Sequence, residues 1–229
     1  MNSAVRSAVL VILVYAFLVL LFTFLSLHLS PSDSQIGKFR AKNTIPDHLL
    51  ILAGFGVLLG LLSSLVYRRL DLTIAALIPI SVIILDLDHL PSFLGISQPI
   101  RPAHSIIFLL VSFPLIFALV RRLDLPLAMV SGFFAHSGVD TGLFAPFSPI
   151  VFDYYTITDY RWVFLVLAVA SSLAAGYYAK RESQKGVARS TEASPELLPA
   201  NQEVFEAPHF YLIPKRFGQR HTRLFTPEC

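Results

Sequence analysis

Cysteine is nearly missing from this chain: the one thiol, Cys229, is residue 229 of 229. A single thiol excludes an intrachain disulfide and any thiolate-rich metal site, so a metal held here would rest on histidine and carboxylate. Charge is scarce as well. Only 14% of residues are Asp, Glu, Lys or Arg, while 55% are apolar, far from the roughly one-quarter charged content of soluble domains. The net charge of +3 is modest, and no nucleic-acid-binding motif accompanies it, which argues against DNA or RNA as a partner. The partner implied by composition is a lipid bilayer.

What is abundant is long apolar sequence. Runs at 8–27, 49–66, 72–85, 105–120, 125–135 and 162–179 predict an all-α, polytopic membrane bundle of about six helices, two of them short against the roughly 20 residues that span a bilayer. The first run follows Arg6, but it exceeds the about 7 to 15 residues of a signal h-region and no A-x-A pattern comes after it, so it reads as an anchor. The chain then divides into an anchor and linker at 1–47, a helical membrane domain at 48–179, and a polar tail at 180–229.

Basic residues mark one side. Arg68-Arg69, Arg121-Arg122 and Lys180-Arg181 fall in alternate loops with Arg6, which predicts a multi-pass protein of the cell membrane with both termini cytoplasmic. Lys38, Arg40 and Lys42 run against this assignment. Helix alternation places His48, Asp86, Asp88, His89, Arg101, His104, His136 and Asp140 together on the opposite face. The pentapeptide RRLDL occurs at Arg68 and again at Arg121. Each copy lies between an upstream His (His48, His104) and a downstream Asp (Asp86, Asp140), as two repeated helical hairpins would require. Arg pairs at cytoplasmic turns and Asp71 and Asp124 as helix caps would produce similar turns without duplication.

Several of these residues point to chemistry. Asp86 stands at the expected C-terminal end of a helix from Leu72, where the macrodipole is already negative, and Asp88 adds to the repulsion. A cation or Arg101 would relieve it. That helix would rise roughly 22 Å against about 30 Å of hydrocarbon, which predicts a recessed site. His136 and Asp140 are spaced to share one helical face if the helix continues through Gly138, and the Gly- and Pro-containing segment after them reads as a loop returning over the site. Pro102 disfavours helix at Arg101, and from a loop there a guanidinium can grip an anion, particularly a phosphate.

Taken together, DHLL at Asp47–Leu50, LDLDHLPSFLG at Leu85–Gly95, RPAHS at Arg101–Ser105 and AHSGVDTGLFAPFSP at Ala135–Pro149 resemble the YdjM-like family of membrane-bound predicted metal-dependent hydrolases. The family pattern runs G-H-L-L, P-D-I-D-H-P, H-R-G-x-T-H-S and S-H-x-x-x-D-x-x-T-x-x-G, and the likeness covers residues 47–149. The resemblance implies metal ligands among His48, Asp86, Asp88, His104, His136 and Asp140, with His89 as a ligand or acid-base partner. A fainter likeness to zinc-dependent phospholipase C-like enzymes implies a phosphoester substrate. Ile100 or Pro99 stands where the pattern has its first His of H-R-G-x-T-H-S, and Pro102 stands where it has Gly.

The tail from Arg181 is polar and aperiodic, which predicts disorder. Its last stretch mixes aromatics with basic residues suited to anionic lipid. The expectation for the whole is a metal-dependent hydrolase with a divalent cofactor, zinc foremost and manganese next, acting on a lipid or phosphoester through His89 or a spare carboxylate as proton acceptor and Arg101 as anion clamp. The rivals are a transporter or ion-handling protein, which would need polar groups along a path to both faces, and a non-catalytic scaffold with a structural metal.

Overall fold

Apolar sequence without β-branched alternation or internal loop signals becomes helix, because in lipid each backbone N–H must find its carbonyl within the same segment. The computed structural model describes residues 3–29, 45–96, 101–140, 143–144, 146–150, 155–156 and 160–192. Among them six long helices form: α1 (Ser3–Leu29), α2 (Ile45–Val66), α3 (Leu72–Leu85), α5 (Ile106–Val120), α6 (Asp124–Val139) and α7 (Arg161–Glu192), with a single-turn α4 (Leu90–Phe93) after α3. A minimal antiparallel pairing joins β1 (Leu143–Phe144) to β2 (Tyr155–Thr156), Leu143 opposite Thr156.

The six helices follow the six apolar runs, but they are not equivalent. Ala4–Leu29, Leu49–Val66, Leu72–His89 and Arg161–Lys185 are long and apolar enough to cross a bilayer and point to a membrane protein, whereas α5 is apolar but only 15 residues long. Large apolar side chains such as Leu13, Phe17, Leu58, Leu65 and Leu110 are exposed on the outside of the bundle, as lipid-facing residues are and as few soluble surfaces allow. Helix α6 is the opposite case: most of its residues are buried, Leu125, Ala128, Phe133 and His136 completely. It forms the interior of the bundle.

Helix α3 lies at the centre, against α1, α2, α6 and α7. Its approach to α2 depends on two glycines. A Cβ at Gly56 would sit 2.7 Å from Pro79 Cα, and one at Gly60 would sit 2.8 Å from Ala75 Cα. The G-x-x-x-G spacing puts both on one stripe of α2, the small-residue seam by which membrane helices pack closely. On the other side, a Cβ at Gly132 of α6 would collide with Ser81 and the Ile78 carbonyl. These contacts bring the ends of α3 and α6 level with one another.

Three differences from the sequence reading bear on the site. The α-helix from Leu72 ends at Leu85 with Asp86 as its C-cap, as expected, but the chain keeps to a helical path beyond it: it tightens into a 3-10 turn over Asp86–His89 and continues into α4. As an 18-residue span it reaches about 27 Å rather than 22 Å. The polar stretch after Lys180, expected to be aperiodic coil, is helical to Glu192, because Arg, Glu, Gln and Lys are good helix formers and a solvent-facing helix needs no apolar stripe. Residues 193–229 lie outside the described residues. Helix α1 is more than an anchor: Tyr15 and Phe22 pack on Phe108, with ring centroids 5.3 and 5.2 Å apart, and the helix touches both 3-10 turns of the site.

The basic turns gather at one end. Arg69, Asp71 and Lys180 line a common recess with Tyr67, and Arg122 lies within electrostatic reach of Asp71 and Glu182. At the other end α6 meets the start of α7, where Arg161 Nε donates to the Gly138 carbonyl at 3.2 Å.

Candidate metal centre

Three chain segments deliver the polar cluster. The 3-10 turn after α3 carries Asp86, Asp88 and His89. Tightening from 3.6 to about 3.0 residues per turn is what lets Asp86 and Asp88 face different partners. A second 3-10 turn, Pro102–His104, carries His104. Pro102 opens it and forces Arg101 out of helical conformation (φ −101°, ψ 84°), as a residue before proline is biased to be. Ser105 then caps α5 by accepting from the Phe108 N–H at 3.0 Å. Helix α6 does continue through Gly138, so His136 and Asp140 share a face, His136 Nε2 lying 4.0 Å from Asp140 Oδ2. The segment after α6 does return: the Pro146 carbonyl accepts from the Ile106 N–H at 2.9 Å, at the first turn of α5.

Asp86, His104 and His136 form the centre of the cluster. Each offers one ligand atom, and those atoms all lie within 4.8 Å of one another. His104 and His136 are buried, with ring centroids 4.6 Å apart and planes at 66°. Their tautomers follow from their partners. His136 Nδ1 is 2.9 Å from the Val82 carbonyl, which can only accept, so Nδ1 carries the proton. His104 Nδ1 is 2.9 Å from Asp88 Oδ2, so it too donates. Both Nε2 lone pairs are therefore turned towards Asp86. Burial, and after it the Arg101 charge alongside, lowers His104 below the usual imidazole value, against the pull of Asp88. That favours the neutral form that ligates metals.

The remaining residues surround this triad. Asp88, fully buried, spends one oxygen on His104 Nδ1 and so sits behind that ring, where a carboxylate would fix the tautomer and raise the basicity of a metal-binding imidazole. His89 Nε2 lies 3.4 Å from Asp86 Oδ1 and 3.9 Å from Asp88 Oδ1. Asp140 pairs with Arg101 through Nη1. Arg101 Nη2 lies 2.8 Å from His104 Nε2 and 3.4 Å from both His136 Nε2 and Asp86 Oδ1. His48 belongs to the first turn of α2, but its side chain lies outside the described residues. The Val82 carbonyl and the Tyr15 ring, which sits close enough to Asp88 to feel its charge, have no signature in the sequence: one is backbone and the other a lone aromatic in an apolar run.

The group Asp86, His104 and His136 can hold a metal ion. Its donor set is two imidazoles and a carboxylate, ligand types that several divalent metals accept. Asp86 Oδ2 and Asp88 Oδ1 are buried without a hydrogen-bond partner among the described residues, an arrangement that buried carboxylate oxygens rarely tolerate in the absence of a cation. Comparison with protein-family models, with curated proteins and with solved structures found no match.

Proposed function

We propose that this protein is a membrane-bound, metal-dependent hydrolase whose Asp86, His104 and His136 hold a divalent ion, zinc foremost, in a recessed pocket at the extracytoplasmic face. The observation that carries the reading is the convergence of two imidazole lone pairs and a carboxylate from three separate segments on one point. Their shared orientation, set by the Val82 carbonyl and by Asp88, is the preorganisation a ligand set needs.

A divalent ion bound there supplies Lewis-acid polarisation and an acidified water. The chain supplies the rest. His89, beside Asp86 and not buried, is placed to take a proton and return it to a leaving group. Arg101 brings a planar fork suited to a phosphoester oxygen. Helix α1 runs beyond Phe22, which packs at the level of the site, to Leu29, a further rise of about 10 Å. The pocket therefore lies below the outer end of α1, where a lipid or other amphipathic substrate would be presented. The topology that goes with this reading has six crossings, both termini in the cytoplasm, and the Arg turns on the cytoplasmic side.

The transporter alternative requires ionisable groups along a route to the other face. Between the site and the Arg turns, α3 from Leu72 to Leu85 and α6 from Leu125 to Ala135 contain none. The test is metal analysis of the purified full-length protein, wild type and His136→Ala, followed by hydrolysis of a panel of phospholipids and soluble phosphoesters. About one zinc or manganese per chain in wild type, lost in His136→Ala together with hydrolysis, supports the reading. A wild-type protein that stays metal-free after supplementation overturns it, and metal-loaded protein inert on every substrate reduces it to the scaffold alternative.

A further inference from the structure

Resting on the metal reading above, we infer that Arg101 is the resident occupant of the coordination centre, its Nη2 standing where a divalent ion binds, and that metal entry turns the guanidinium outward about its bond to Asp140.

Position is the first argument. Nη2 lies 2.8 Å from His104 Nε2, 3.4 Å from His136 Nε2 and 3.4 Å from Asp86 Oδ1. These are the same three side chains that can ligate a metal. An ion drawn to about 2.0 to 2.2 Å from each would fall within the van der Waals volume of that nitrogen. The two cannot be present together. The cage around Nη2 is also wider than a metal needs, so exchange contracts it by roughly 1 Å per ligand.

Hydrogen-bond capacity is the second. Nη2 carries two N–H groups and faces three acceptors, while Asp86 Oδ2 and Asp88 Oδ1 have no hydrogen-bond partner among the described residues. The guanidinium holds the ligands in place without satisfying them. Charge is the third. Asp86 and Asp140 both pair with the guanidinium of Arg101, and Asp88 lies within its electrostatic reach. An arginine expelled on metal entry would also break its ion pair with Asp140. Displacement without expulsion keeps that pair, and the geometry permits it: Nη1 is anchored on Asp140, and the backbone before Pro102 is extended rather than helical.

An arginine that served only to clamp substrate or brace the fold would leave metal affinity unchanged or weaken it when removed. A displaceable occupant has the opposite sign. The test is calorimetric titration of the full-length protein in detergent with Zn²⁺, comparing wild type with Arg101→Ala and Arg101→Lys. Arg101→Ala should bind Zn²⁺ at least about tenfold more tightly than wild type, a difference of about 1.4 kcal/mol. Added guanidinium ion at concentrations that leave the fold intact should compete with Zn²⁺ in that variant, while tetramethylammonium at the same ionic strength should not. The second comparison separates occupancy of the centre from a simple loss of positive charge. Arg101→Lys keeps the charge on a shorter reach, and it should fall between the two and serve in place of Arg101→Ala if that variant does not fold. Zn²⁺ binding by wild type that is equal or tighter than in both variants overturns the inference and leaves the metal reading standing. Guanidinium without effect on a tightened variant also overturns it. No Zn²⁺ binding by any of the three proteins removes the metal reading itself.

Discussion

Asp88 and Asp86 differ in role although two positions apart. Asp86 faces the centre and Asp88 faces the back of His104. Asp88→Asn keeps an oxygen for the Nδ1 proton but removes the charge that raises the imidazole's basicity. It should therefore lower zinc affinity by about 10- to 100-fold and leave stoichiometry intact at saturating metal, whereas His136→Ala should lose the bound ion. Equal, complete loss in both would place Asp88 among the ligands. The two RRLDL aspartates also diverge. Asp71 caps α3 by accepting from the Thr73 and Ile74 N–H groups at 3.0 and 3.3 Å. Asp124 is buried and held by the fork of Arg122, 3.1 and 2.6 Å. Asp71→Ala should cost about 1 kcal/mol of stability, read as a lowered thermal midpoint in detergent with metal binding unchanged. Residue types were legible in the sequence because a carboxylate or imidazole in an apolar chain stands out. Which way each one turns was not, since a partner such as the Val82 carbonyl, 54 positions from His136, leaves no mark.

At the scale of elements, the seam between α2 and α3 sets where Asp86 arrives. Gly60→Val would press a branched side chain against the Ala75 backbone, and overpacking of this kind costs about 1 to 3 kcal/mol. We expect a lower unfolding midpoint and weaker zinc binding, because α3 carries one ligand and supports a second through Val82. A variant matching wild type in both would show that the seam is not rigid. The repeated turns are alike in one local respect: Arg68 and Arg121, the first residues of the two pentapeptides, both adopt left-handed backbone with φ of 51°. The helices they join are not alike, since α6 is buried where its counterpart α3 exposes Ile83. Helix existence followed from apolar runs longer than any strand. Helix ends were harder: α3 closes at Leu85 with Asp86 as its C-cap, near where the sequence placed its end, but the 3-10 turn that carries the chain on to His89 has no signal in the sequence.

For the whole molecule, the separation of charges along the bundle is the property with the widest consequence. Arg69, Arg122 and Lys180 share one end and the His and Asp cluster takes the other. On the proposed orientation, with the basic end in the cytoplasm, Cys229, the sole cysteine, is a ready reporter. A membrane-impermeant maleimide should label it in opened vesicles and spare it in intact cells; labelling of intact cells would reverse the orientation and put the site inside. Helix α1 also matters at this scale, since it packs on Phe108 and on both 3-10 turns of the site, and removing the first span should weaken zinc binding as well as anchoring.

The sequence by itself determined that this chain is helical with segments apolar enough to cross a membrane, roughly where its long helices lie, and that any metal would rest on His and carboxylates, because these follow from local composition and from the backbone's need to bond internally in lipid. Only the tertiary structure decided which of those residues meet. Asp86, His104 and His136 converge, Asp88 stands behind a ring and Arg101 stands among them because glycine seams fix how deeply α3 settles between α2 and α6, and helix depth, which no local pattern encodes, is what aligns distant side chains on a common point.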